Sequence, residues 1–387
     1  MSRTKKEITK DTLGLQSLVL HKKLGGKIRI ESAIPVKDRA MLSLIYTPGV
    51  GAVSMAVAKN TKLARELTMK GRMVAVISDG SAVLGLGNIG ALGALPVMEG
   101  KCAIFKSFAD VDAVPIVLDT QDVEKIVETI CMIAPAFGGI NLEDFSAPRC
   151  FEIEEKLKAR LSIPVMHDDQ HGTAIVVLAG LINASKVVEK NIKKLRVVIT
   201  GAGAAGTAIT KLFIKYGIRD VVVLDSVGII TREREGLSLE KQWIAANTNP
   251  RRVVGDSAEA LNDADVVIGV SGPNILKAED IELMNKKAIV FALANPTPEI
   301  MPDMARKAGA FIIATGRSDF PNQINNALVF PGVFRGALDN RVKAITDTMK
   351  LRAAEALASL IKKPTQDSII PDIFDPRVVR TISAVIR

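Results

Sequence analysis

The stretch LRVVITGAGAAGTAITKLFIKYGIRDVVVLD, residues 195–225, decides the fold. It begins as an apolar strand, passes through three glycines, continues as a helical pattern and ends in a second strand, VVVLD. This order of strand, glycine turn, helix and strand predicts a βαβ unit that binds a dinucleotide. The alternative is a tight strand-to-helix turn that holds no ligand.

Each residue of the glycine turn has a physical reason. Gly201 permits the tight turn, Gly203 lets the backbone approach a pyrophosphate, and Gly206 lets the helix pack closely on the strand. Ala204 belongs to the same turn, and we expect it beside the cofactor. Asp225 ends the second strand nineteen residues after Gly206, where an acid can bind ribose hydroxyls.

The pattern GxGxxG occurs a second time, in GLGNIG at Gly85, Gly87 and Gly90. Pro96 follows closely and is expected to interrupt a helix, and no strand ending in an acid arrives at the required distance. We therefore expect a mobile or ligand-facing loop here rather than a second nucleotide site.

Short β-rich runs alternate with helical segments along the rest of the chain, from MVAVIS at residue 73 to FIIAT at residue 311. Such alternation predicts an α/β fold with parallel sheets. We expect two domains: an N-terminal α/β substrate and catalytic domain at 1–165, and a Rossmann-type dinucleotide-binding domain with a helical tail at 166–387.

Composition excludes several classes of protein. With 48% hydrophobic and 24% charged residues, the 387-residue chain is not wholly disordered. The net charge of +9 is concentrated in residues 1–40 and 341–387 without interleaved aromatics, which argues against a nucleic-acid partner. Three unpaired cysteines, no signal sequence and no apolar run of about 18 residues predict a cytoplasmic protein outside the membrane.

Two acidic pairs, Glu143-Asp144 and Asp168-Asp169, stand at the boundaries of regular elements. Carboxylate oxygens are hard ligands that suit Mg²⁺ or Mn²⁺. The alternative for such pairs is a solvated helix cap. His167 and His171 have the spacing of a zinc-binding helix, but the chain lacks the glutamate of the zinc-protease motif, so we expect polar loop residues instead.

Two further side chains could move protons. Lys101 precedes an apolar run, and a lysine entering a buried strand could have a lowered pKa and act as a base. Tyr46 precedes a Pro-Gly turn and could act as an acid. The alternatives are a solvated lysine at the end of a strand and an aromatic residue of the core.

Eight motifs follow one another in an order that resembles the malic enzymes, closest to their compact prokaryotic branch. They run from Tyr46 to Gly332 and read YTPGV, SDGSAVLGLGNIG, PVMEGK, LEDF, HDDQHGTA, GAGAAG, FALANPTPE and INNALVFPGV. The resemblance implies oxidation and decarboxylation of (S)-malate to pyruvate and CO₂ with NAD or NADP, assisted by Mg²⁺ or Mn²⁺. It also implies a homodimer in which Tyr46 could reach across the interface.

The resemblance assigns roles by position. Lys101 matches the general base, Tyr46 the general acid, and Asp168 a carboxylate that tunes the site. The implied metal ligands are Glu143, Asp144 and Asp169, and the implied substrate or nicotinamide contacts are Asn295 and Asn326.

One position departs from the larger eukaryotic members of the family. They carry an arginine for a malate carboxylate where this chain has Ala82, and Arg72 and Lys106 are weak candidates to replace it.

The choice of cofactor and two other reactions stay open. Asp225 favours NAD because it repels a 2′-phosphate, but Arg232 and Arg234 could accept one. In a metal-dependent oxaloacetate decarboxylase without redox activity, the glycine motif would be vestigial. An amino-acid dehydrogenase would share the two domains and the lysine but would not need the acidic cluster. A nucleotide-sensing module would leave Lys101 and Tyr46 without a role.

Overall fold

The computed structural model describes residues 10–83 and 85–387, so residues 1–9, on which the expectation of no signal sequence rests, lie outside the described part. The chain begins with short helices that pack loosely on the rest. They are α1 (Lys10–Leu24), α2 (Arg39–Ile45), α3 (Val50–Lys59) and α4 (Ala64–Leu67).

A four-stranded parallel sheet follows, with the strand order β2-β1-β3-β4. Its strands are β1 (Met73–Ser78), β2 (Asp112–Val117), β3 (Gly139–Leu142) and β4 (Val165–His167). Its helices are α5 (Gly90–Ala109), α6 (Val123–Ile133) and α7 (Arg149–Arg160). All six residues of β1 are buried, as in a parallel strand with both faces covered.

The second sheet has six strands in the order β10-β9-β8-β5-β6-β7, all parallel except β7. Its strands are β5 (Arg196–Thr200), β6 (Asp220–Asp225), β7 (Gly228–Ile229), β8 (Val266–Gly269), β9 (Ala288–Ala292) and β10 (Ala310–Thr315). Its helices are α8 (Asp168–Val187), α9 (Ala204–Tyr216), α10 (Leu239–Asn247), α11 (Ser257–Leu261), α12 (Ala278–Glu282) and α13 (Pro302–Lys307). The tail adds α14 (Phe330–Asp339), α15 (Asp347–Ser359) and α16 (Arg377–Ser383).

The α/β fold with a Rossmann-type sheet is therefore confirmed. Helix α8 is apolar on all sides from Ala174 to Ile182, and it is buried as such a helix must be. Its side chains join residues of both sheets in one hydrophobic core. The division at residues 165 and 166 falls inside β4 and stays a prediction.

Two local expectations are wrong. Lys101 lies in the middle of α5 and not at the entrance to a strand, and Pro96 is accommodated inside the same helix. A proline removes one helical hydrogen bond, but α5 buries an apolar face that includes Met98 and Phe105. Because tertiary packing supplies most of the stability of a helix in a protein, the helix continues through the proline.

The expectation that no apolar stretch reaches membrane length overlooked residues 39–59. Within the described residues, this helical stretch of 21 residues has the length and composition of a membrane span, with a mean hydropathy of 1.5 and no buried part. It is broken between α2 and α3 at Tyr46–Gly49.

Candidate active site

The two acidic pairs meet at the carboxyl edge of the first sheet. Glu143 and Asp144 directly follow β3, while Asp168 and Asp169 directly follow β4 and open α8. The two strands are parallel neighbours, so their ends place the acids side by side.

Three of these carboxylates form a candidate metal site. The ligand atoms of Glu143, Asp144 and Asp169 lie within 4.8 Å of one another, and no histidine or cysteine belongs to the group. The backbone N–H of Asp144 donates to Asp169 Oδ2 over 2.8 Å, which couples the two loops. Asp144 has a φ of 57°, an uncommon conformation for a non-glycine residue.

Lys101 reaches the same cluster from α5. Its Nζ lies 2.6 Å from Glu143 Oε1, 2.6 Å from Asp168 Oδ2 and 4.3 Å from the centre of the Phe330 ring. Burial alone would lower the pKa of Lys101, but the carboxylates of Asp168 and Glu143 outweigh it and raise that pKa above its ordinary value. The ammonium group is therefore charged in this arrangement.

The cluster holds more negative charge than it can balance. Burial raises the pKa of Glu143 well above its usual range and that of Asp168 to about 6, although Lys101 opposes both shifts. Four carboxylates surround one ammonium group, and all of them except the partly exposed Asp169 are buried. A divalent cation has the charge that such an oxygen-rich set lacks, so the residues present fit Mg²⁺ or Mn²⁺.

Gly172 shows how tightly the site is packed. A Cβ atom at this position would lie 1.8 Å from Asp168 Oδ1 and 3.2 Å from the Cβ of Asn326. The glycine of HDDQHGTA is thus required by the carboxylate one turn earlier in α8. The same contact places Asn326 beside the acidic cluster.

Asn295 and the second glycine-rich loop also lie together. A Cβ atom on Gly85, whose φ is +76°, would lie 2.4 Å from the Asn295 carbonyl oxygen. The N–H of Ala82 donates to the carbonyl oxygen of Asp144 over 2.9 Å. The exposed GLGNIG loop therefore connects the acidic cluster with Asn295, which agrees with a ligand-facing loop.

The sequence analysis expected polar loop residues at His167 and His171, and this expectation is wrong. His167 ends β4 and is fully buried, and His171 lies in the first turn of α8. Burial lowers the pKa of His171 to about 4 and also lowers that of His167. His171 Nε2 lies 2.9 Å from Oε2 of Glu154, a buried acid on α7. Glu154 could not be identified from the sequence, because it lies among other charged residues of a helix and nothing in the pattern marks it as buried.

Gly201 and Gly203 of GAGAAG border a cavity of about 1190 Å³. A Cβ atom on Gly206 would lie 1.8 Å from the Gly201 carbonyl oxygen, and one on Gly201 would lie 2.6 Å from the Val270 carbonyl oxygen. Gly203 has no heavy atom within 4 Å of a Cβ position and opens onto the cavity. Helix α9 begins directly afterwards, at Ala204, so the N-terminus of this helix borders the cavity. The N-terminus of a helix stabilises a bound anion such as a pyrophosphate.

Asp225 lies in the same cavity and is already paired. Arg234 donates to both of its carboxylate oxygens over 2.9 Å, and Lys241 Nζ lies 2.6 Å from Oδ2. Burial alone would raise the pKa of Asp225, but these hydrogen bonds hold it well below its usual range. Arg232 donates instead to a carbonyl oxygen of α10. Lys241 was missed because sixteen residues separate it from Asp225.

The remaining candidates, Tyr46, Arg72 and Lys106, are not part of the acidic cluster. The side chain of Tyr46 is 66% exposed, in contrast to the buried Lys101. Arg72 pairs with Asp112 over 2.7 Å, and Lys106 pairs with the same acid. Asp112 begins β2, so both cations lie at the amino edge of the sheet, opposite the acidic cluster.

Comparisons with known proteins agree with this geometry. The family model of the malic enzyme N-terminal domain matches residues 25–158, and that of the malic enzyme NAD-binding domain matches residues 170–386. The NAD-dependent malic enzyme of Geobacillus stearothermophilus is 53% identical over 93% of this chain and 75% of its own length. The bifunctional malic/malolactic enzyme of Bacillus subtilis is 52% identical over 96% of this chain and 91% of its own length.

Solved structures agree as well. The NAD-dependent malic enzyme of Thermotoga maritima superposes with a TM-score of 0.93 at 49% identity, over 96% of this chain and 98% of that one. Relatives that match this chain include both NAD- and NADP-dependent malic enzymes. These matches select malate oxidation over the decarboxylase and amino-acid dehydrogenase alternatives. The chain therefore belongs to the malic enzyme family, which carries out the NAD(P)-dependent oxidative decarboxylation of malate.

Proposed function

We propose that Glu143, Asp144 and Asp169 bind Mg²⁺ or Mn²⁺ and that Lys101 is the base that removes the hydroxyl proton of malate. One observation carries the proposal: a single buried ammonium group lies 2.6 Å from two carboxylates of a four-carboxylate cluster. When bound, the metal would polarise the oxygens of malate and the nicotinamide would accept a hydride. Proton transfer and the orientation of malate would be carried out by side chains of the protein.

Lys101 must lose a proton before it can accept one. In the present pairing its charge is stabilised by Glu143 and Asp168. Positive charge added next to Glu143 would weaken this stabilisation and lower the pKa of Lys101 toward the range of a base. Asp168 would then hold the ammonium group that forms when Lys101 takes the proton from the C2 hydroxyl group. The low exposure of all three side chains keeps water from competing.

Asn295 and Asn326 are proposed to orient malate and the nicotinamide. The Gly172 contact fixes Asn326 beside Asp168, and Asn295 packs on both Gly85 and Gly316, where a Cβ atom would lie 2.6 Å from Asn295 Nδ2. Amide groups held on both sides of the cluster can donate hydrogen bonds to a substrate carboxylate. This offers a way to hold malate without the arginine that Ala82 replaces.

For the cofactor, we propose that NAD is preferred and that NADP is also accepted. Asp225 can receive hydrogen bonds from the ribose hydroxyls of NAD. However, Arg234 and Lys241 place two positive charges against its one negative charge. A 2′-phosphate would therefore meet less repulsion than an unpaired Asp225 would cause.

We also propose a cytoplasmic homodimer in which Tyr46 acts in the site of the partner. Large apolar side chains are exposed along the N-terminal helices, among them Leu18, Leu44 and Met55. Such a surface is typical of an interface between subunits. The cytoplasmic location is supported by three cysteines that are all free.

A mixed dimer tests the role of Tyr46. One subunit would carry Lys101→Ala and the other Tyr46→Phe, with different affinity tags to isolate the hybrid. If Tyr46 serves the partner, the hybrid contains one site with both groups intact and should have about half the wild-type rate, because two sites are reduced to one. If its rate equals only the mean of the two parent dimers, Tyr46 acts within its own chain.

The activity itself is tested by initial rates of malate oxidation with NAD and with NADP, each with and without Mn²⁺. We expect NADH and pyruvate in equal amounts and no turnover in a chelator. Turnover that persists without any divalent metal would contradict the metal site. Decarboxylation of oxaloacetate without any oxidation of malate would contradict the redox role.

A further inference from the structure

Glu154 is a buried acid outside the proposed metal ligands, and two of its three hydrogen-bond and ion-pair contacts lie on one short segment at the start of α8. It lies on α7 and is only 4% exposed. Its Oε1 accepts the backbone N–H of His167 over 2.9 Å and lies 2.8 Å from Lys158 Nζ, while its Oε2 lies 2.9 Å from His171 Nε2.

The segment between these contacts is the first turn of α8. His167 is the residue before the helix and His171 is the fourth residue inside it, so one carboxylate group holds both ends of the turn. This turn carries Asp168 and Asp169. No side chain of its own caps the helix at His167. Glu154, from a different helix, therefore provides an anchor that the turn does not provide for itself.

The charge of Glu154 also matches its position. Burial alone would raise the pKa of Glu154, but His171 and Lys158 outweigh it and lower that pKa well below its usual range. A carboxylate near the N-terminus of a helix is favourable because it faces the positive end of the helix dipole. The acid is therefore ionised and held in one orientation by donors on three sides.

We propose that Glu154 is a positioning residue of the active site, which sets the direction of Asp168 and Asp169 and on which the affinity for the divalent metal depends. The inference rests on the proposed metal site. Glu154 is not one of the three proposed metal ligands. It acts through the backbone at His167 and the side chain of His171, as outer-shell groups orient ligands in metal sites.

The test measures binding of Mn²⁺ to the full-length protein, without malate or nucleotide, from the electron paramagnetic resonance signal of free Mn²⁺. Glu154→Gln keeps the size of the side chain but replaces one acceptor oxygen with a donor. We expect the dissociation constant for Mn²⁺ to rise by about tenfold or more. NAD binding at GAGAAG should stay within about twofold, since that turn has no contact with Glu154.

Glu155→Gln is the matched control. It removes the same charge from the next residue, which is exposed and, among the described residues, makes no hydrogen bond or ion pair with α8. Glu155→Gln should bind Mn²⁺ like the wild type. Equal weakening in both variants would show a general charge effect and overturn the inference.

His171 gives a second route if Glu154→Gln does not fold. His171→Ala removes one of the contacts and should weaken Mn²⁺ binding, whereas His171→Gln places an amide nitrogen near the position of Nε2 and should restore most of it. If the wild type binds Mn²⁺ and all these variants bind it equally well, the inference is wrong and the proposed function stands. If the wild type binds no Mn²⁺, both are wrong.

Discussion

The carboxyl edges of the two sheets each carry a charged cluster, and the two clusters differ in burial and balance. In the first sheet, Lys101 is 8% exposed and faces an excess of carboxylates. In the second, Asp225 is paired with Arg234 and Lys241, whose side chains are 22% and 31% exposed. Buried charges depend on their partners, whereas water can replace a partner at a half-open site. Changes in the first cluster should therefore have the larger effects.

The largest effect is expected from the metal ligands. Asp169→Ala or Asp144→Ala should abolish malate oxidation, because each removes one of three oxygen ligands from the site that would hold the cation. Steady-state rates with saturating Mn²⁺ measure this effect, and binding of NADH followed by fluorescence should persist. Asp303→Ala, an exposed acid on α13, is the control. A near-normal rate of either ligand variant in chelator would refute the metal assignment.

Lys101→Ala should lower kcat for malate oxidation by on the order of 100-fold or more, because a general base is lost. Lys106→Ala changes an exposed lysine on the same helix and should leave the rate nearly unchanged. The comparison is made by single-turnover formation of NADH. If Lys101→Ala still produced NADH at a near-normal rate, Lys101 would not be the base.

Asp225→Ala should have a smaller effect on catalysis, because it changes the partly exposed cluster of Asp225, Arg234 and Lys241. It removes the acceptor for the ribose hydroxyls and frees Arg234 and Lys241 for a 2′-phosphate. We expect the ratio of kcat/KM for NAD to that for NADP to fall by about tenfold, or about 1.4 kcal/mol. Arg234→Ala should move the ratio in the opposite direction. An unmutated enzyme at least tenfold better with NADP would refute the proposed preference.

The smallest effect concerns stability in acid. Burial lowers the pKa of His171 to about 4 from an ordinary value near 6.5, so the unfolded chain binds a proton that the folded chain excludes. This contribution is present above pH 6.5 and is lost as the pH falls toward about 4. Asp168, whose pKa is raised to about 6, acts with the opposite sign in the same range.

His171→Gln isolates the contribution of the histidine, because Asp168 is retained. Between pH 7.5 and 5, the wild type should lose roughly 1–2 kcal/mol more of its free energy of unfolding than the variant does. Urea unfolding at the two pH values measures this difference. Asp225 stays ionised throughout, so its cluster adds nothing to it. Equal losses in both proteins would mean that His171 is not buried as a neutral ring.

Features that depend on local geometry could be predicted from the order of the residues. In GAGAAG, strand, turn and helix are continuous in the chain, so the required glycines and the terminal Asp225 could be located by spacing alone. The acidic pairs could be located for the same reason, because each directly follows a strand. The α/β fold also followed from the order of strands and helices.

Contacts between distant parts of the chain became visible only in the folded structure. Lys101 pairs with Asp168 across 67 positions of the chain, and α5 continues through Pro96 because its buried face is stabilised by other elements. Lys241 reaches Asp225 only in the folded chain, where α10 packs against α9, and Glu154 reaches α8 only because α7 lies against β4. Burial, and with it every shifted pKa, depends on these long-range contacts. These contacts cannot be predicted from a pattern of residues that are neighbours in the sequence.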